Sequence, residues 1–181
     1  VLFSTNWIGM TTSEAGWAAA ALTDLSDFPQ ITDRIKQGLI NNLVQTRTMT
    51  GVCGDEAAFE HEGHRVFDGE PYYYGISMGG ILGGAAMALS PDIERAAFSV
   101  AAANFPVLQG RSINFNEFEL IYSAWYEERI DREFYWAVIG HLWEGSESAG
   151  YLPHLTADPL PDTPTKKVIY QIGYGDAQVS N

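Results

Sequence analysis

The chain has 181 residues, with 10 Lys and Arg against 23 Asp and Glu, which gives a net charge of −13 at pH 7. This length predicts one domain. A surface this acidic repels phosphate groups, so nucleic acids and anionic membranes are excluded as main partners. Hydrophobic residues make up 46% of the chain, enough for a packed interior, but no apolar stretch reaches the roughly 18–20 residues of a membrane-spanning helix. The single cysteine, Cys53, cannot form a disulfide within the chain.

The first part of the chain is predicted to contain one strand and two helices. Apolar and β-branched residues predict a strand over 1–7. The run Thr11-Thr12-Ser13-Glu14 has a capping-box pattern that opens an alanine-rich helix over 15–22. Apolar residues at helical spacing predict a second helix over 31–46. The polar, glycine-rich segment 51–70 is predicted to be a loop.

The second part alternates strands with helices. A short aromatic strand over 72–74 leads into a glycine-rich turn and a helix that Pro91 ends, and a buried strand is predicted over 96–103. The segment 105–164 carries two aromatic helices and a proline-rich return, and a last strand is predicted over 167–172. This alternation predicts an α/β fold with flanking helices and a mostly parallel sheet of four strands.

The segment Gly75-Ile76-Ser77-Met78-Gly79 carries the strongest chemical signal in the sequence. A serine hydroxyl becomes an effective nucleophile when a sharp turn from strand to helix presents it to a base. Small residues two positions before and after the serine, here Gly75 and Gly79, let that turn close. The helix that follows places partial positive charge near a developing oxyanion. We therefore predict Ser77 as the nucleophile and the backbone N–H of Met78 as the first oxyanion donor.

On these residues, the segment 72–81 resembles the nucleophile elbow of the α/β-hydrolase superfamily, in particular its bacterial esterase-like and lipase-like members. The resemblance implies a partial α/β-hydrolase core formed by 1–104 and 165–181, with a helical cap inserted at 105–164. In this superfamily the acid of the catalytic triad lies in the loop after the strand that follows the cap. That position implies Asp176 as the acid.

The triad histidine is where the sequence departs from this superfamily. Its histidine follows the acid, and no histidine follows Asp176. The first three strands, the oxyanion loop and the eighth strand of the usual fold also have no counterpart, so we expect an internal fragment of a hydrolase or a shortened one. His61 and His64 precede the strand that leads to the serine, which places them at the opposite end of the sheet. His141 and His154 remain as candidate bases.

Two further groups of residues have alternative interpretations. Cys53 and the pattern His61-x-x-His64, with acidic neighbours, form a loose set of metal-ligand types, but a solvated acidic loop is favoured and we predict no metal and no cofactor. The aromatic residues between Phe115 and Trp143 are either ordinary core or the lining of an apolar substrate pocket. The sequence leaves both interpretations of the aromatic segment open.

The leading prediction is a serine carboxylic ester hydrolase that acts through an acyl-enzyme on small or apolar esters. The alternative is a non-catalytic or assembly-dependent chain that keeps the elbow and lacks the base. A sheet with open edges also predicts a homo-oligomer, most simply a two-fold dimer. No pattern in the sequence predicts the cellular compartment.

Overall fold

Three parallel strands form the central sheet of the computed structural model, which describes residues 1–180. The strands, in chain order, are β1 (Glu60–His61), β2 (His64–Arg65), β3 (Tyr72–Ile76), β4 (Arg95–Ser99) and β5 (Lys167–Gln171). The α-helices are α1 (Ala15–Ala21), α2 (Phe28–Thr50), α3 (Val52–Asp55), α4 (Met78–Leu89), α5 (Phe105–Gln109), α6 (Asn116–Trp125), α7 (Arg129–Trp143) and α8 (Leu152–Thr156). The structure is therefore mixed α/β, as the sequence predicts.

The order of the strands in the central sheet is β3-β4-β5, and both pairs are parallel. Ile76 pairs with Ser99, and Ser99 pairs with Gln171, so the carboxyl ends of the three strands meet at one edge. The other two strands, β1 and β2, form a separate two-stranded antiparallel hairpin. In an open parallel sheet, ligands bind outside the carboxyl ends of the strands, which is the edge where Ser77 lies.

The predicted strand over 1–7 is wrong. These residues form no sheet ladder, although they run beside β3 across a groove of about 360 Å³ that both segments line. They contact other parts of the chain through side chains instead: Gln45 of α2 donates a hydrogen bond to the Ser4 carbonyl at 2.7 Å, and the Phe3 ring meets the Phe67 ring edge to face. Within the described residues the central sheet thus has three strands rather than the expected four.

Other element boundaries differ from the prediction for local reasons. The strand predicted over 96–103 ends at Ser99, because Val100 has a φ of +49° that breaks the extended backbone. The helix predicted over 31–46 runs from Phe28 to Thr50, and the segment predicted as a loop contains α3 and the β1–β2 hairpin. The capping box is confirmed, because the Glu14 carboxylate accepts from the Thr11 N–H at 3.1 Å and opens the helical segment that leads into α1.

Helix α4 packs closely on the sheet, and glycines make this approach possible. A Cβ on Gly80 would lie 2.9 Å from the Ala101 Cβ, and one on Gly83 would lie 2.7 Å from the Tyr73 ring. The main core lies between α4, α2 and the aromatic helices, with its largest fully buried side chains at Phe28, Phe105, Ile35, Leu82 and Ile139. No helix among residues 1–180 is both long and apolar enough to cross a membrane.

Candidate active site

Ser77 occupies the turn between β3 and α4 with a backbone conformation that is rare for a non-glycine residue. Its φ is +52° and its ψ is −116°. The Ser77 N–H donates to the Ser99 carbonyl at 3.0 Å, and its own carbonyl accepts from the Ile81 N–H at 2.8 Å. Such strained residues persist only where the surrounding structure fixes them, and they cluster at active sites. These two bonds hold the residue while its side chain remains exposed.

The closure of this turn depends on Gly75 more than on Gly79. A Cβ on Gly75 would collide with the carbonyl oxygen of Gly79, whereas a Cβ on Gly79 would make an ordinary 3.7 Å contact with the Tyr73 hydroxyl. That hydroxyl donates to the Gly79 carbonyl at 2.7 Å. Burial raises the pKa of Tyr73 far above its ordinary value, so the phenol keeps the proton that it donates. The structure therefore assigns the steric requirement to one of the two predicted glycines.

The first turn of α4 offers backbone donors beside Ser77. The helix begins at Met78, so the N–H groups of Met78, Gly79 and Gly80 have no acceptor within the helix. Aligned peptide dipoles add partial positive charge at this end. An oxyanion that forms on a carbonyl carbon bonded to Ser77 can accept hydrogen bonds from such donors. The geometry is compatible with the predicted role of the Met78 N–H.

Asp176 lies in the loop after β5, at the same edge of the sheet as Ser77. Its Oδ1 accepts hydrogen bonds from the N–H groups of Gln178, at 2.8 Å, and Val179, at 2.9 Å. These backbone bonds lower the pKa of Asp176 below its ordinary value, so the carboxylate is ionised at neutral pH. Oδ1 of Asp176 therefore stabilises a turn, and the role of this residue as the acid of a triad stays a prediction.

His154 lies far from Ser77. It belongs to α8, where its Nδ1 is 2.6 Å from the Asp158 carbonyl oxygen. The next residue, Leu155, packs in one cluster with Met87 near the end of α4. Met87 is ten residues beyond Ser77, which corresponds to about 15 Å along a helix. The structure places this candidate base at the far end of α4.

The other histidines also have local partners or exposed positions. His141 is 82% exposed, with its Nδ1 3.1 Å from Glu144. His61 and His64 face each other across the β1–β2 hairpin, and both are exposed. The predicted triad is therefore not assembled from these side chains, and the hairpin does not complete a metal site. No group of three or more His, Cys, Asp or Glu side chains within residues 1–180 is placed to hold a metal ion.

A cavity of about 220 Å³ lies next to the elbow, and Met78 forms part of its lining. Its other walls are mostly apolar side chains, from Met10, Ala18, Leu22, Phe28, Ile31, Phe115, Phe118, Trp136 and Trp143. Gly9 and two polar residues, Gln109 and Asn114, complete the lining. Phe115 and Trp143 belong to the core and also line this cavity. The core interpretation of the aromatic segment is therefore confirmed, and the substrate-pocket interpretation stays a prediction. A wider cleft that shares Gly9, Met10 and Phe118 adjoins it.

The cavity wall at Gly9 and Met10 was not identified from the sequence. Gly9 has a φ of +94°, and a Cβ there would lie 2.8 Å from the backbone of Ile35. Its N–H donates to the buried Glu14 carboxylate at 2.6 Å, and Arg34 pairs with the same carboxylate. A glycine two residues upstream of the capping-box threonine gives no signal of a pocket, because the opposite walls come from distant parts of the chain.

A scan against protein-family models, a search of curated proteins and a search of solved structures each found no match to this chain. Function is therefore inferred from the geometry of the elbow, the sheet edge and the adjoining cavity.

Proposed function

We propose that the chain is a serine ester hydrolase of the α/β-hydrolase type, acting through an acyl-enzyme on small or apolar esters. The observation that supports this most directly is the strained backbone of Ser77 between β3 and α4. In the proposed reaction the Ser77 Oγ attacks the ester carbonyl, the Met78 N–H binds the oxyanion, and the alcohol leaves. Water then hydrolyses the acyl-enzyme and restores the hydroxyl.

The reaction needs a base for the Ser77 proton. Asp176 is proposed to orient that base, but His141 and His154 have the local partners described above. The decisive experiment therefore supplies the base as free imidazole. We expect imidazole to increase hydrolysis of short p-nitrophenyl esters by about tenfold over the rate with the Ser77→Ala variant, a modest part of what a positioned base contributes. An equal rate in the two proteins at every imidazole concentration would support the non-catalytic alternative.

Covalent labelling tests the nucleophile without turnover. A fluorophosphonate probe should label the wild-type chain in the presence of imidazole and leave Ser77→Ala unlabelled. Ser99 is the matched control, because it ends the neighbouring strand and its hydroxyl donates to Gln171 at 3.0 Å. Ser99→Ala should therefore label like the wild type. Labelling that survives in Ser77→Ala would remove this serine from the proposal.

The role of Asp176 can be tested without disturbing its turn. Asparagine keeps an oxygen that can accept from the N–H groups of Gln178 and Val179, but it loses the charge that would orient an imidazolium. We expect Asp176→Asn to fold normally and to lower the imidazole-supported rate. An unchanged rate would show that Asp176 only stabilises the loop.

Self-association is part of the same proposal. Parallel sheets are usually covered on both faces, whereas Tyr72, Tyr74 and Ile169 of this sheet are exposed by 61%, 61% and 70%. Tyr74 and Ile169 both pair with Ala97 of the middle strand, so they lie on one face with Ala97 between them. A second copy of the chain covering this face accounts for the exposure. Light scattering should give a mass above 19.9 kDa at micromolar concentration, and a stable monomer would contradict the proposal.

A further inference from the structure

A second cavity, of about 510 Å³, follows one face of α7. Every third or fourth residue from Glu133 to Glu144 lines it, which is the spacing of a single helix face. The start of α5 contributes Pro106 and Val107, and Glu147 lies in the segment that completes the lining. Ser77 does not line this cavity, so the site is separate from the proposed esterase site.

Glu147 is the residue of this cavity that needs an explanation. It is only 3% exposed. Its Oε2 accepts a hydrogen bond from the Phe105 N–H at 3.1 Å, and its Oε1 has no hydrogen-bond partner among residues 1–180. Within the same residues no Lys, Arg or His forms an ion pair with it. Glutamates are almost never this buried unless they are paired, because removing a charge from water is costly. The carboxylate therefore lacks a cation.

The unpaired oxygen of Glu147 is accessible from the cavity. Among the buried and half-buried residues of 1–180, Trp143 Nε1 is the only side-chain nitrogen or oxygen that is both out of reach of water and without a partner. Glu147 Oε1 also has no partner but does not belong to that class, so water reaches it. Because the rest of the side chain is enclosed and Glu147 lines the cavity, the cavity provides this access.

The charges around the cavity favour a cation as its ligand. Glu133 and Glu144 add two carboxylates, whereas no Lys or Arg belongs to the lining. His141 pairs with Glu144 at 3.1 Å, and Arg129 and Arg132 line a neighbouring cleft that shares Glu133. No set of three ligand side chains in the described part of the chain is placed to hold a metal ion. The arrangement therefore suits an organic cation.

We propose that this cavity binds an aliphatic primary amine, whose ammonium group donates a hydrogen bond to Glu147 Oε1. An ammonium group supplies the positive charge and the N–H donor together. Pro106, Val107 and Ala149 offer apolar surface to the alkyl chain. The carboxylate then has a partner for each oxygen, the Phe105 N–H on Oε2 and the ligand on Oε1.

Binding of hexylamine and of 1-hexanol to the whole chain, each measured by calorimetry, tests the charge. Glu147→Gln keeps an oxygen that can accept from the Phe105 N–H and removes the charge. We expect it to weaken binding of hexylamine by about ten- to hundredfold, the usual worth of a hydrogen bond to a charged group, and to leave that of 1-hexanol unchanged. Glu70→Gln is the matched control, because Glu70 is exposed and lies outside the cavity. Equal weakening in both variants would show that the net charge of the chain attracts the amine, and would overturn the proposal.

Two further measurements keep the test decisive if Glu147→Gln fails to fold. Hexylamine should shift the amide signal of Phe105, which donates to the same carboxylate, and 1-hexanol should not. Val107 is 52% exposed, so Val107→Lys should fold, and its own ammonium group should compete with hexylamine and weaken its binding. No binding of hexylamine to the wild type, or unchanged binding in Val107→Lys, would reject the site.

The ammonium group can belong to a free amine or to a lysine side chain of a peptide. Tighter binding of hexylamine than of Nα-acetyl-lysine methylamide would support a free amine, and the reverse order would support a lysine side chain. Both orders keep the ammonium site. Ser77→Ala should bind hexylamine as the wild type does, because Ser77 is not part of the lining. Weaker binding in Ser77→Ala would place the amine at the elbow and overturn the assignment to Glu147.

Discussion

The two edges of the central sheet differ in backbone strain and in the hydrogen bonds of their polar groups. At the carboxyl edge, Ser77, Val100 and Asn104 all have positive φ values, and each lies shortly after the end of β3 or β4. At the amino edge, the buried Lys166 donates its Nζ hydrogens to the carbonyls of Ser90 and Ile93. Among residues 1–180, three of the five non-glycine residues with a positive φ lie at the carboxyl edge, whereas the buried charge at the amino edge is held by two hydrogen bonds to backbone carbonyls.

This difference separates the residues expected to act from those expected to stabilise. Positive φ is costly for valine, which is β-branched, so its presence at Val100 means that packing around it outweighs the strain. At the amino edge, Lys166 instead donates hydrogen bonds to the Ser90 and Ile93 carbonyls, which follow α4. Substitutions at the carboxyl edge should alter the elbow, and substitutions at the amino edge should alter stability and its pH dependence.

The largest expected effect comes from Gly75→Ala. The new Cβ would meet the Gly79 carbonyl oxygen, so the turn must open or the strand must shift. We expect a loss of about 1–3 kcal/mol in the free energy of unfolding, together with loss of Ser77 labelling. Gly79→Ala is the matched control, because its Cβ has room and alanine favours a helix, so its stability should rise by at most about 1 kcal/mol. Urea denaturation of both variants checks this, and two equal effects would contradict the tight elbow.

The elbow was predictable because its determinants are local. A strand, a serine between glycines and a glycine-rich helix follow one another in the chain, so the pattern of residues 72–89 predicts both elements and the turn. The capping box was predictable for the same reason, since Thr11 and Glu14 are three residues apart. Local sequence chemistry is sufficient where the interacting groups are close in the chain.

The cavity and the missing strand were not predictable because both depend on distant contacts. The residues 1–7 have the composition of a strand, but a strand forms only if a partner backbone lies at pairing distance, and β3 is separated from them by a groove. Trp143 and Trp136 have the same side chain and lie on the same helix. Within residues 1–180, tertiary packing gives the Nε1 of Trp136 an acceptor and gives that of Trp143 none. Nothing in the spacing of these aromatic residues distinguishes the two.

The amino edge should show a second, pH-dependent effect through Lys166. Burial lowers the pKa of Lys166 from 10.5 to about 8, although the nearby carboxylates of Glu94 and Asp92 oppose that shift. Between these two values the unfolded chain binds more protons than the folded chain. The contribution of Lys166 to the free energy of unfolding therefore rises with pH in this window, by about 1.5 kcal/mol between pH 8 and 9.5.

Denaturation curves across this pH range test the effect, with Lys166→Met as the variant that cannot titrate. We expect the wild type to gain stability relative to Lys166→Met as the pH rises. Lys167 is the control position, because it is the adjacent lysine and is exposed, so Lys167→Met should keep the wild-type slope. A parallel pH dependence in the wild type and Lys166→Met would show that the buried amine is not the source.

The smallest effect is expected from Glu14, the paired charge on the elbow side of the molecule. Burial by itself raises the pKa of Glu14, but hydrogen bonds from Arg34, Thr11 and the Gly9 N–H outweigh it and lower the pKa from 4.5 to about 2. The folded chain therefore holds this proton less tightly than the unfolded chain. The stabilisation is present above pH 4.5 and is lost as the pH falls toward 2, by about 1 kcal/mol once solvent screening at this site is allowed for.

Glu14→Gln removes the charge and keeps an oxygen that can still accept from Gly9, so the turn that lines the cavity should persist. We expect the variant to lose less stability than the wild type between pH 4.5 and 2.5. Unfolding measured by tryptophan fluorescence follows this expectation, since Trp17 stacks with Arg34 beside this carboxylate. Equal losses in Glu14→Gln and the wild type over this range would show that another group titrates, and that the ion pair of Glu14 with Arg34 adds no pH-dependent stability on the elbow side of the molecule.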